Sequence, residues 1–130
     1  MDGEKKYGHE RMVVYQNIDR LDGLVQKEIL SKIPRYCLKL REQIDSASDS
    51  VGANFVEGYY SGSLAEYLRF LRYARRSLGE LQERVRRCVR KGFVSEVLYA
   101  KFRDLLNQTI YLFVRLMEAL EAKGIKSGKG

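Results

Sequence analysis

From residue 64 to residue 88, apolar side chains recur in alternating steps of three and four: Leu64, Tyr67, Leu71, Ala74, Leu78, Leu81, Val85 and Cys88. Eight consecutive positions on that template place one apolar stripe along one side of a long helix. Such a helix folds stably only by laying the stripe against other helices. Ser63 precedes the run and Glu66 stands three residues later, the arrangement in which a hydroxyl and a carboxylate reciprocally satisfy orphan backbone donors. Gly92 stands where a left-handed residue commonly closes a helix. The span predicts a helix about 42 Å long.

Three more segments follow the same rule. The fourth places Leu98, Phe102, Leu105, Thr109, Leu112, Leu116 and Ala119 on the template, with Ser95 as its cap and Gly124 as its stop. Leu106, Ile110, Phe113 and Leu120 widen that stripe, which predicts packing on more than one neighbour and an apolar surplus that would mark a subunit interface. The second segment opens at Pro34, a good first-turn residue, and carries Cys37, Leu40, Ile44, Ala47, Val51, Asn54 and Gly58. The first is the sparsest, with Val14, Ile18, Leu21 and Val25. Short connections near residues 31–33, 59–62 and 92–94 make successive helices antiparallel neighbours. The prediction is an all-α, antiparallel up-down-up-down four-helix bundle over residues 11–123. A flexible N-terminus (1–10) and a disordered basic tail (124–130) are expected to flank it.

A chain of 130 residues is enough for one domain with its own core. A single proline and no tryptophan suit long uninterrupted helices. The opening MDGEKKYGHE has no apolar stretch behind its charges, and no window approaches the run of about eighteen apolar residues that a membrane span needs. A cytoplasmic protein without membrane contact is therefore expected. Two cysteines and one histidine, His9 in a segment expected to fray, do not make a metal signature, a disulfide framework or a catalytic triad. Cys37 and Cys88 fall at similar depths on helices two and three and read as two small buried hydrophobes. No cofactor, metal or catalytic residue is predicted. The charge is more informative: 24 Lys and Arg against 17 Asp and Glu leave +7, a surplus that points to an anionic partner, nucleic acid first.

The stretch NFVEG, residues 54–58, raises the question of why an amide and a carboxylate end an apolar pattern. Glu57 on the last turn of helix two would face the positive end of helix three, and the amide of Asn54 would bridge loop backbone groups. Asn54, Glu57, Gly58, Ser63 and Glu66 are thus read as a structural corner. An enzymatic use of Glu57 with Asn54 is the weakest alternative, because nucleophile, metal set and phosphate loop are all missing.

The run SVGANFVEGYYSGSLAEYLRFLRYARRSLGEL, residues 50–81, resembles a family of four-helix-bundle proteins. Its founding members are encoded within intervening sequences of bacterial large-subunit ribosomal RNA genes. The resemblance rests on Asn54, Glu57 and Gly58, then Ser63 and Glu66, then Ser77, Leu78, Glu80 and Leu81. A related branch, the accessory variability protein of diversity-generating retroelements, is similar in fold, size and charge, and partners a reverse transcriptase and its template RNA. The resemblance implies no enzymatic activity in either branch. It implies a ring-shaped homopentamer, and five copies of +7 would make a body of about +35 (5 × 7).

At 100° per residue, Arg69, Arg72, Arg76, Arg87 and Arg90 lie opposite the apolar seam of helix three, flanked by Arg75 and Arg86. Glu80 and Glu83 interrupt the stripe, and Glu83 stands at i,i+4 from Arg87. The seven arginines form either a solvated face with local ion pairs or a surface that tracks phosphates, for which arginine forks are suited. Tyr59, Tyr60 and Tyr73 are candidates to stack bases beside it. The leading expectation is a non-enzymatic oligomer that binds RNA or DNA with low sequence specificity. The alternative is an accessory protein whose basic ring docks a reverse transcriptase.

Overall fold

The computed structural model describes residues 8–126. Four helices run in sequence: α1 (Val13–Leu24), α2 (Leu38–Tyr59), α3 (Leu64–Arg90) and α4 (Glu96–Lys126). Each packs on the next, α4 also closes on α1, and α2 with α3 share the most extensive contact. No strand occurs among the described residues. The expected four-helix bundle is the observed fold. Its core runs its full length, from Ile44, Val85 and Phe102 through Leu78 to Phe55 and Phe113.

The α3 seam is as predicted: Leu71, Ala74, Leu78, Leu81, Val85 and Cys88 are fully enclosed, and Leu64 and Tyr67 are half-buried where the helix begins. Ser63 caps it, its hydroxyl accepting from the Glu66 amide at 3.1 Å. The chain leaves α3 through Gly92, at φ +80°, a conformation that suits glycine. Ser95 caps α4 in the same way, through the Leu98 amide at 3.1 Å.

Elsewhere the spacing misplaces particular residues. On α2 the core position is Phe55, fully enclosed, rather than Asn54 beside it. On α4 the buried line is Phe102, Leu106, Thr109, Phe113 and Met117, while Leu105, Leu112 and Leu116 are half-buried and Ala119 is exposed. A strict three-four template repeats every 3.5 residues, whereas a straight helix turns every 3.6, so the template drifts by about 20° per heptad. Over three heptads that moves Ala119 out of the core. Leu106 and Phe113, read as surplus, are the core itself, and Ile110 and Leu120 are half-buried against it. The predicted apolar surplus on this helix is therefore largely consumed inside the bundle, where α4 packs on both α3 and α1.

The first helix ends in an unpredicted way. Val14, Ile18, Leu21 and Val25 are buried as expected, but so are Leu24, Ile29 and Leu30. Adjacent apolar pairs such as Leu24–Val25 stand 100° apart on an α-helix. A π-helical turn over Val25–Ile29 takes in the extra residue and lets both members face inward. A 3-10 turn, Leu30–Lys32, follows. Ile33 is extended (φ −89°, ψ 127°), as a residue before proline prefers. Pro34 opens a turn closed by the Cys37 amide at 3.0 Å, so α2 starts at Leu38 rather than at Pro34. Arg41 reaches back to the carbonyls of Leu30 and Ile33, satisfying acceptors that the ended helix leaves open.

The two ends are described in part. Gly8–Arg11 forms a 3-10 turn. The His9 ring meets Tyr15, Tyr59 and Tyr60 edge-on, and its Nδ1 lies 3.0 Å from the Tyr60 hydroxyl. At the other end α4 runs through Gly124 to Lys126 instead of stopping at the glycine. The remainder of the two predicted flexible segments, residues 1–7 and 127–130, lies outside the described residues. Cys37 and Cys88 are both free thiols, Cys88 fully enclosed and Cys37 half-buried. Burial, with a smaller contribution from Cys37, pushes the Cys88 thiol up to about 11, so it is un-ionised at neutral pH.

Candidate nucleic-acid interface

All seven predicted arginines of α3 are exposed: Arg69, Arg72, Arg75, Arg76, Arg86, Arg87 and Arg90. They are exposed because the helix commits its opposite side to the core, as its periodicity requires. The carboxylates divide the stripe unevenly. Near its start Glu66 takes both forks of Arg69, with Nε and Nη2 donating at 2.7 and 3.2 Å. Those hydrogen bonds, with the Glu66 charge, hold the Arg69 guanidinium further above its usual range. Near its end Glu83 is shared by Arg86, Arg87 and Arg90 at 3.4, 3.6 and 3.9 Å.

The middle is different. Arg72, Arg75 and Arg76 make no ion pair among the described residues. Glu80 is exposed nearby and takes none of them. The Arg76 guanidinium turns instead over the Tyr73 ring, 5.7 Å from its centroid, and Arg69 approaches the same ring at 5.7 Å. Tyr73 is thus the candidate tyrosine that belongs to the arginine surface, with Phe70 edge-on beside it. Tyr59 and Tyr60 sit in the aromatic cluster of His9, Phe55 and Tyr67 at the α2–α3 end of the bundle. The sequence reading passed over Lys91, which lines a shallow hollow of about 360 Å³ with Arg87 and Arg90. Its position directly after Arg90 in the sequence was the available signal.

The corner after α2 is built from other atoms than expected. Asn54 does not reach the loop. Its amide donates to the Ser50 carbonyl at 2.9 Å and the Ser50 hydroxyl at 3.0 Å, one turn back on its own helix. The Ser77 hydroxyl of α3 donates to the same Ser50 oxygen at 2.9 Å, so Asn54, Ser50 and Ser77 form a polar string between α2 and α3. Glu57 is exposed and makes no hydrogen bond or ion pair with the described residues. Its carboxylate would have to cross the loop to meet the α3 amides, and Ser63 already caps them. Glu66 likewise completes only half a capping box, because its carboxylate is turned to Arg69.

What closes the corner is Gly58 with Ser61. The Ser61 amide and hydroxyl both donate to the Gly58 carbonyl, at 3.2 and 2.7 Å. A Cβ on Gly58 would lie 2.9 Å from the Phe70 Cβ and 3.2 Å from the Tyr67 carbonyl oxygen, so only glycine allows α2 and α3 this close. Glu57→Ala is accordingly expected to change stability by less than about 0.5 kcal/mol, as exposed substitutions do, measured by urea unfolding. A loss several times larger would restore the corner role to the carboxylate.

With this geometry established, the comparison with known proteins is specific. Residues 10–114 match the 23S rRNA-intervening sequence protein family. The chain belongs to that family. No curated protein matches it. In this intervening-sequence protein the matched region takes in α1, α2, α3 and most of α4, and with them the arginine stripe and the Asn54–Ser50–Ser77 string. Among the described residues no cluster of three or more His, Cys, Asp or Glu side chains is placed to hold a metal, and no helix is long and apolar enough to cross a membrane.

Proposed function

We propose that this intervening-sequence protein is a non-catalytic, cytoplasmic RNA-binding protein that holds a nucleic-acid backbone along the outer face of α3 and works as an oligomer. The observation that carries this reading is the group Arg72, Arg75 and Arg76, exposed and without an ion pair among the described residues, on a helix whose Arg69, Arg86, Arg87 and Arg90 are held by carboxylates. A guanidinium without an internal counterion is free to take a phosphate, and its fork fits two phosphate oxygens at once. Tyr73, braced by Arg69 and Arg76, offers a ring beside that track for an unstacked base. Phosphate contacts carry no sequence information, so a surface that binds chiefly through them is expected to show low sequence preference. Membership in a ribosomal RNA-associated family favours RNA as the partner. The resemblance supplies a five-membered ring as the assembly, which would repeat the stripe around one particle.

The test is a salt titration of binding to single-stranded RNAs and DNAs of unrelated sequence. Log affinity is expected to fall linearly with log salt, with a slope of about −0.7 for each phosphate neutralised on a single strand, and to differ little between sequences. Binding that ignores salt, or that selects one sequence strongly, would overturn the proposal.

A further inference from the structure

A hollow of about 480 Å³ opens between α2 and α3, and Ser50 and Ser77 of the polar string line it. Its volume lies within the range of small-ligand sites, about 300–1,000 Å³. The walls carry Lys39 and Glu42 from α2 and Glu80 and Arg84 from α3. At the serine end the inventory of protons does not close. The Asn54 amide nitrogen donates to both the carbonyl and the hydroxyl oxygen of Ser50, which fixes the orientation of the amide. One hydroxyl proton then joins Ser77 to Ser50 at 2.9 Å. The other proton of the pair has no acceptor among the described residues, whichever serine carries it. Ser77 is only 6% exposed, so an acceptor for that proton has to come through the hollow.

The walls are equally unfinished. Lys39, Glu42, Glu80 and Arg84 form no ion pair or hydrogen bond among the described residues. Their order along the groove follows from the antiparallel register in which Ser50 faces Ser77. At 1.5 Å per residue, Glu80 lies about 4.5 Å beyond the serines, Arg84 about 10 Å, Glu42 about 12 Å and Lys39 about 16 Å. Asn54, Ser77 and Glu80 also belong to the pattern on which the family resemblance rests, and the arginine stripe uses none of them.

We propose that this groove binds a free nucleoside monophosphate whose base sets a ring-nitrogen acceptor beside an exocyclic amine, an adenylate or a cytidylate. The spare serine proton goes to the ring nitrogen, and the amine donates to the Glu80 carboxylate. Glu42 accepts from the ribose hydroxyls, as carboxylates do in other nucleotide sites. Arg84 and Lys39 hold the phosphate at the far end. Guanylate and uridylate present an N–H in place of the ring acceptor and a carbonyl in place of the amine. The first leaves the serine proton unmatched, and the second sets oxygen against the Glu80 carboxylate, so both are rejected.

Isothermal titration of the full chain with the four ribonucleoside monophosphates decides it. Adenylate and cytidylate are expected to bind about tenfold or more tightly than guanylate and uridylate. Glu80→Gln offers the base a donor as well as an acceptor, so the preference is expected to disappear. Arg84→Gln is expected to weaken all binding about tenfold and leave the preference intact. A purely structural role for either residue could not separate preference from affinity in this way. Replacing Arg72 and Arg75 with glutamine is expected to leave adenylate binding unchanged, since both stand more than about 100° round α3 from the groove. Equal affinity for all four nucleotides, or a Glu80→Gln variant that keeps the preference, would overturn the assignment. So would the absence of adenylate binding at millimolar concentration. Loss of adenylate binding in the Arg72 and Arg75 variant would move the anion to the stripe and empty the groove of its role.

Discussion

Replacing Arg72, Arg75 and Arg76 together with glutamine is expected to weaken RNA binding roughly 100-fold at 0.1 M salt while leaving the bundle folded. Each phosphate contact on a single strand contributes about a factor of five through counterion release at that salt, and three contacts multiply. The salt slope is expected to flatten by about 2, again from three contacts at about 0.7 each. The fold survives because all three side chains are exposed and glutamine keeps arginine's helix propensity. Arg69→Gln supplies the contrast, since its guanidinium is already engaged by Glu66 at 2.7 Å and its loss is expected to matter less. Filter binding over a salt series on both variants measures this. Equal affinity of the triple variant and the parent at every salt would make the stripe a solvated face and return the charge surplus to a protein partner.

Phe55→Ala is expected to cost about 3–5 kcal/mol, the range for truncating an enclosed phenylalanine. The residue is fully buried where all four helices meet. Its ring lies 5.8 Å from Tyr15 of α1, 6.4 Å from Tyr59 of α2, 6.5 Å from Tyr67 of α3 and 6.1 Å from Phe113 of α4. Against a total stability of about 5–15 kcal/mol, the loss is about a fifth of the whole or more, and calorimetry would show the transition lowered by at least about 10 °C. A drop of only a few degrees would mean that the aromatic cluster collapses into the space left behind.

How far the sequence could be read depended on what set each position. The α3 stripe was legible because one helix presents one narrow seam, and eight positions leave no second register. On α4 the same template lost its way, because a 3.5-residue repeat and a straight helix part company over three heptads. Asn54 and Phe55 are neighbours that both fit a slightly shifted stripe, and only packing against the other three helices places the ring inside. The π turn at Val25–Ile29 answers to pairs of adjacent apolar residues, a signal that single-period counting discards. For the site, exposure of the arginines followed from the seam, but their pairing did not. Which of Glu66, Glu80 and Glu83 takes a guanidinium depends on side-chain direction, and Glu80, well placed on a helical wheel, takes none. The NFVEG corner misled because a carboxylate near a helix start suggests a cap, while Ser63 was better placed for it.

The middle of α3 is also where local and global preferences disagree. Arg72 has arginines at i−3, i+3 and i+4, namely Arg69, Arg75 and Arg76, and like charges at those spacings each oppose the helix by about 0.2–0.5 kcal/mol. A sequence chosen only to fold would interleave carboxylates there, as it does at Glu66 and Glu83. Around Arg72 the helix is therefore frustrated with no carboxylate to relieve it, and such conflicts gather where a protein does something besides fold. A polyanion laid across those three guanidinia would remove the conflict, so under the proposed function nucleic acid would complete the helix's own electrostatics and raise the protein's stability on binding.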